Sequence, residues 1–186
     1  MMLPKVILGG MGVYISTPFL AKEVSLNGGL GTVSGTLAGT VMARILQNGD
    51  LGGHFRRALA NFPFQEVARK IIETYYVSGG IPKGTPYKTI SVFNFNPSRL
   101  LIDLTVCANF AFVWLAKEGH ANPISINYLE KVSPPLIYSF VGAMLAGVNV
   151  ITMGAGIPIQ VPNILDGIVS GEPVSYRIIV EGGDQF

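Results

Sequence analysis

The chain has 186 residues, of which 49% are hydrophobic and only 13% charged, with 23 Gly and 12 Pro. That is enough for one buried core, too apolar for disorder, and short of the ~250 residues of a full eight-stranded barrel. A net charge of +2, scattered rather than striped, excludes a nucleic-acid footprint and an anionic-membrane footprint.

Residues 5–8 read as a short buried strand closed by Gly9 and Gly10. Gly9, Gly10 and Gly12 interrupt the apolar opening, so no signal peptide is expected. Ser16-Thr17-Pro18 supplies a cap and a first-turn proline for a helix over 18–26, which Asn27-Gly28-Gly29 ends. A second strand follows at 31–35. Helices at 37–47 and 65–76 then form an excursion over 36–96, linked by Gly49, Gly52, Gly53, Gly79, Gly80 and Pro82.

Asn96-Pro97 opens a helix whose apolar residues Leu101, Leu104, Ala108, Phe112 and Leu115 keep the 3.6 period until Lys117 and Gly119. Residues 123–128 alternate, so Ile124 and Ile126 face the helices while Ser125 and Asn127 face the other way. Asn127 falls at the carboxyl end of that strand. Ser133 and Pro134 launch a helix carrying Leu136, Phe140 and Met144, Gly147 closes it, and a strand at 148–153 follows. Residues 173–180 alternate as a strand outside this series, with 173–186 as an extra strand and tail.

Residues 132–165 carry no charge and exceed the ~20 needed to span a bilayer. Pro134, Pro135, Gly147, Gly154, Gly156, Pro158 and Pro162 cut the stretch into short elements, as in a soluble α/β core, so no membrane partner is expected. One cysteine and two histidines offer neither a disulfide nor metal-ligand spacing. No metal is expected, and a reducing cytoplasmic location is.

Four strands, each followed by helical sequence, indicate a parallel α/β fold. Glycines at 10, 12 and at 29, 31 invite a dinucleotide fingerprint, but Ile15 and Ser34 stand where its last glycine belongs. The clusters Gly10-Met11-Gly12 and Met153-Gly154-Ala155-Gly156 instead sit with Asn127 at strand carboxyl ends, where barrel enzymes build sites. Small residues there leave room for a planar ring, and an amide both donates and accepts, as flavin ring edges require.

The runs Gly10-Met-Gly-Val-Tyr-Ile-Ser and Gly28-Gly-Leu-Gly-Thr-Val-Ser-Gly, then Ala116-Lys-Glu-Gly-His, Ile126-Asn-Tyr-Leu-Glu-Lys, Gly142-Ala-Met-Leu-Ala-Gly-Val and Met153-Gly-Ala-Gly-Ile-Pro, follow in register. Together they resemble the nitronate monooxygenase (2-nitropropane dioxygenase-like) family over essentially the whole chain. The resemblance implies the N-terminal half of a partial (β/α)8 TIM barrel, about four strand-helix units in a single 1–186 domain. It also implies an FMN-dependent oxidoreductase that oxidises alkyl nitronates with molecular oxygen; some relatives reduce enoyl thioesters. On this resemblance Gly10, Met11 and Gly12 line the flavin, Asn127 contacts its ring or ribityl chain, and Met153, Gly154, Ala155 and Gly156 floor the substrate side. Tyr14 stands where a glycine is more usual. The family's later strands, with a glycine-histidine stretch and the phosphate loops, correspond to sequence beyond Phe186.

His54, in Gly52-Gly53-His54, is the candidate proton acceptor against the alternative of a plain loop histidine. His120 precedes its strand and belongs to the opposite, stability-side end. Arg56 and Arg57 are either phosphate ligands or a solvated helix face, and Cys107 is a buried small hydrophobe. From a different class comes a non-catalytic half barrel that pairs with itself or with a missing C-terminal half, since its open sheet edges would favour association.

Overall fold

A computed structural model of the chain describes residues 4–178. Its elements are mixed α/β: α1 (Pro18–Leu26), β1 (Gly31–Ser34), α2 (Ala38–Gln47), α3 (His54–Leu59), α4 (Gln65–Tyr75), α5 (Arg99–Lys117), β2 (Ile124–Leu129), α6 (Leu136–Leu145), β3 (Val150–Gly154) and α7 (Val161–Ser170). The three strands form one parallel sheet in the order β1-β2-β3.

Caps fix the helix starts. Thr17 Oγ1 accepts from Leu20 N at 3.2 Å with Pro18 in the first turn of α1, and Ser98 Oγ accepts from Leu101 N at 3.3 Å at the head of α5. The strands hold because their alternation matches the sheet. Val33, Ile124 and Ile126 are fully buried on the face covered by helices, while Thr32, Ser34, Ser125 and Asn127 turn to the other face.

The core lies between that covered face and α5, whose Leu104, Cys107, Ala108, Phe112 and Leu115 are buried with Met42 and Leu46 of α2 and Phe140 of α6. Each large side chain so enclosed contributes about 1.5–3 kcal/mol. Two glycines let helix α1 meet β1 and α5 meet α6 at close range. A Cβ on Gly31 would collide with the Ala21 carbonyl of α1, and one on Gly142 with the Val106 carbonyl of α5. Helix α5 is long and apolar enough to cross a membrane, yet 72% of it is buried inside the fold.

Several expectations need correction. The strand foreseen at 5–8 is a single parallel bridge, Ile7 to Leu30, carried by Leu8 N to Leu30 O at 3.0 Å and Leu30 N to Val6 O at 2.9 Å. Among the described residues its outer side has no partner strand, and Val6 and Ile7 remain exposed. Helix α6 begins at Leu136, with Pro135 rather than Ser133 at the N-cap, because a proline disfavours helical geometry in the residue before it. Helix α7 supplies the helical sequence expected after the last strand, though its bounds were not foreseen, since Pro162 reads as a breaker but sits harmlessly in its first turn. Residues 173–178 form no strand. The Gln160 amide instead holds Arg177 through both its N and its O, at 2.9 and 3.1 Å. The rest of that foreseen strand and tail, 179–186, lies outside the described residues.

Candidate functional site

The carboxyl ends of the strands carry a row of polar side chains. Register pairs Ser34 with Asn127 and Asn127 with Thr152, so the three share the face away from the helices. The half-buried Asn127 amide is oriented by Nδ2 donating to Thr152 Oγ1 at 3.2 Å and to Thr152 O at 3.4 Å. Its Oδ1 has no hydrogen-bond donor among the described residues and is left as an acceptor.

The loop over 9–16 is fastened onto this row by two buried serines. Ser16 Oγ donates to Gly9 O at 2.8 Å and accepts from Met11 N at 3.0 Å, while Ser34 Oγ donates to Gly12 O. The backbone of Gly10 consequently rests on Asn127, so closely that a Cβ there would overlap Asn127 Cβ and lie 2.7 Å from Cγ. Gly12 (φ 53°) and Tyr14 (φ 61°) turn the loop in the left-handed region, a conformation that costs a non-glycine residue such as Tyr14. The Tyr14 ring offsets the strain by an edge contact to Phe112, with centroids 5.6 Å apart. Burial, then the Asp50 charge, pushes its hydroxyl pKa up.

The opposite wall is the loop after β3. Gly154 pairs with Leu129, Glu130 N donates to Gly154 O at 2.8 Å, and Ala155 (φ 56°) reverses the chain. Gly156 lies against Glu130, where any side chain would meet the carboxylate. Tyr176 hydroxyl donates to Glu130 Oε1 at 2.9 Å. Burial, followed by that carboxylate, raises the tyrosine pKa to about 12.

Of the residues foreseen for the site, Gly10 and Asn127 are in direct contact, and Met11 and Gly12 belong to the same loop. Met11 is 61% exposed. Gly154, Ala155 and Gly156 stand at the carboxyl end of the neighbouring strand. Met153 ends on the wrong face for a substrate floor, because its register partner Tyr128 points into the helices and Met153 packs against the core with it.

His54 is not part of this group. It opens α3 instead of lying in a loop, and its ring meets Phe19 at 5.0 Å and Arg57 at 3.2 Å, with Arg57 bound in turn to Glu118. Arg56 pairs with buried Asp50, which also accepts from Phe55 N and Arg56 N. His120 accepts from Asn122 N and meets Ala116 O, a loop-closing role. Cys107 is fully buried, and burial raises its thiol to about 12. Among the described residues no group of His, Cys, Asp and Glu could hold a metal.

Ser34 and Thr152 were legible from the alternation that singled out Asn127. Ser16 and Glu130 gave no such signal, because loop residues carry no period. One level below Asn127, Thr32 and Ser125 are register partners whose hydroxyls are buried without a hydrogen bond among the described residues. Such groups are uncommon and favour a polar occupant nearby. A free amide oxygen, two small-residue loops and unpaired hydroxyls fit the ring end of a flavin. No Lys or Arg side chain among the described residues hydrogen-bonds to any of them, so the same residues do not fit a phosphate.

No protein-family model, curated protein or solved structure matches this chain.

Proposed function

We propose that the chain is the flavin-facing part of a partial (β/α)8 TIM barrel oxidoreductase of the nitronate monooxygenase kind, acting on alkyl nitronates and molecular oxygen. The observation that carries this reading is the seating of Gly10 on Asn127 at the carboxyl ends of parallel strands, beside the Gly154–Gly156 loop. The strand order, with the Ile7–Leu30 bridge flanking β1-β2-β3, supports a sheet that adds one neighbour per strand-helix unit.

FMN, when bound, would pass electrons from the nitronate to oxygen. Asn127 Oδ1 would accept from a ring N–H, and Gly10 and Gly12 would let the backbone approach the ring. Gly154 and Ala155 would leave the substrate side open. A nitronate has already lost its α-proton, so this chain need supply no base, in keeping with the position of His54 outside the group. Phosphate contacts would come from other strands, which makes ring recognition the contribution of this chain.

Adding FMN to the purified chain is expected to shift the visible flavin band, and a short alkyl nitronate should then drive oxygen uptake once the phosphate-holding half is supplied. A preparation that perturbs no flavin spectrum would overturn the reading.

A second reading, a non-catalytic half barrel that pairs with another chain, is favoured by one observation. A mostly apolar groove of about 980 Å³ runs from Val6 and Ile7 at one sheet edge to Val150 and Thr152 at the other. Both edges offer unpaired backbone, which templates further strand addition. A monodisperse monomer in sedimentation experiments would dismiss that reading.

A further inference from the structure

On the helical side of β1 lies a partly open, mainly apolar cavity of about 340 Å³, within the range of small-molecule sites. Leu37 and Ala38 of the α2 entry, Leu101 of α5 and Pro134 line it, together with Ile90 to Phe93 of the preceding segment, where Val92 is 85% exposed. Among the described residues no charged one lines it. Its side-chain polar groups are Thr40 and Ser91 toward the outside and the buried Thr105, Asn109 and Ser139 within. Thr105 Oγ1 donates to Leu101 O at 2.8 Å, and Asn109 bonds Thr105 O and the Tyr128 hydroxyl. Ser139, 4% exposed, makes no side-chain hydrogen bond among the described residues, although its carbonyl accepts from Tyr128.

The cover is unusual as well. Between α4 and α5, residues 76–98 carry no helix or strand, longer than the ~12–15 residues beyond which such connections are uncommon and usually functional. This strap is tied at Ile81, Tyr87 and Lys88 to Gln47 and Asn48. Over Ile90–Phe93 it makes no backbone hydrogen bond among the described residues and is held by packing, with Phe93 stacked on Tyr138 at 6.0 Å. At the rim Leu37 holds a left-handed φ of 55° with 56% of its surface exposed, a strained position for a branched apolar residue.

We infer that this cavity is a binding site for an uncharged, mainly apolar small molecule with one hydrogen-bonding end, such as a medium-chain alcohol, its polar end on Ser139 and its chain between Leu101 and Ile90. The absence of lining charge selects against carboxylates and ammonium ions, which would be buried without a partner. Ser139 supplies the only side-chain hydrogen-bonding group of α6 there, and the unbonded stretch of strap admits the ligand. None of Gly10, Asn127 or the Gly154–Gly156 loop lines the cavity, so the site stands apart from the flavin reading.

The test is a fluorescence titration with the neutral probe N-phenyl-1-naphthylamine, followed by displacement with decanol, decanoate or decyltrimethylammonium. One saturable site is expected, emptied by decanol and much less readily by either ion. Ser139→Leu fills the cavity and Ser91→Trp plugs it from the exposed strap. Each should weaken the probe about tenfold or more, the scale of discrimination by apolar fit. The strap variant keeps the test valid should the α6 variant misfold. No saturable signal, equal displacement by the ions, or affinity unchanged in both variants would overturn the assignment, the last by placing the probe in the open groove of the sheet.

Discussion

The backbone of Gly10 lies directly on the side chain of Asn127, with no room between them for a Cβ. The contact joins a loop at the start of the chain to the carboxyl end of β2, and it defines one wall of the candidate site.

Gly10→Ala should therefore push the 9–12 loop off the sheet. An overpacking cost of about 1–3 kcal/mol is expected in urea unfolding. Gly9→Ala, whose nearest neighbour would be Met11 Sδ at 3.9 Å, is the control and should stay within about 0.5 kcal/mol of the parent.

Tyr128→Phe tests the buried polar link between sheet and helices. The ring contact with Phe140, at 5.5 Å, survives the change. Asn109 Oδ1 and Ser139 O lose the hydroxyl that reaches them at 2.9 and 3.2 Å. Leaving buried acceptors short of a donor costs about 1–3 kcal/mol, measurable as a lower urea midpoint at an unchanged slope.

Cys107 gives an alkaline signature. Its thiol titrates near 9 when unfolded and is pushed to about 12 in the fold by burial and then by Asp103. The folded state thus binds more protons above pH 9, so the contribution is fully present below pH 9 and is lost as pH rises toward 12. Stability of Cys107→Ala should fall less steeply over that window than that of the parent. Thiol reagents at pH 8 should label the parent only after denaturant is added.

The Arg57–Glu118 pair, with 42% and 29% of the two side chains exposed, should be worth less than about 1 kcal/mol after screening. The Arg57 hydrogen bond lowers the Glu118 pKa, so the small benefit is present at neutral pH and lost as the solution is acidified below the ordinary carboxylate value. His54→Ala is expected to leave flavin uptake unchanged, measured by titration beside the parent, because its partners are Phe19 and Arg57 rather than any residue around Asn127.

Period carried most of the fold. The alternation of Ile124 to Tyr128 fixed β2 and its two faces, and the 3.6 spacing of Leu101 to Leu115 fixed α5, because burial on one side imposes those repeats. Residues 5–8 look like β2 in miniature, but their pairing depends on a neighbour on each side, which no local pattern reports. The bounds of α7 were hidden by Pro158 and Pro162, whose meaning depends on whether they fall inside a turn or at its start. In the site, Asn127 was visible as a polar residue in a strand. His54 was misleading, since glycines on its N-terminal side look the same whether they end a loop or open a helix. Ser16 and Ser34, which bind the 9–12 loop, emerge only from contacts across the chain.

The most direct test of the flavin reading is a titration of the chain with lumiflavin and with FMN, following the visible flavin band, in the parent and in Asn127→Leu. Lumiflavin lacks both ribityl chain and phosphate, so a site made of Asn127, Gly10 and the Gly154–Gly156 loop should bind it about as well as FMN and lose both in the variant. Binding that demands the phosphate, or that persists unchanged in Asn127→Leu, would contradict the account.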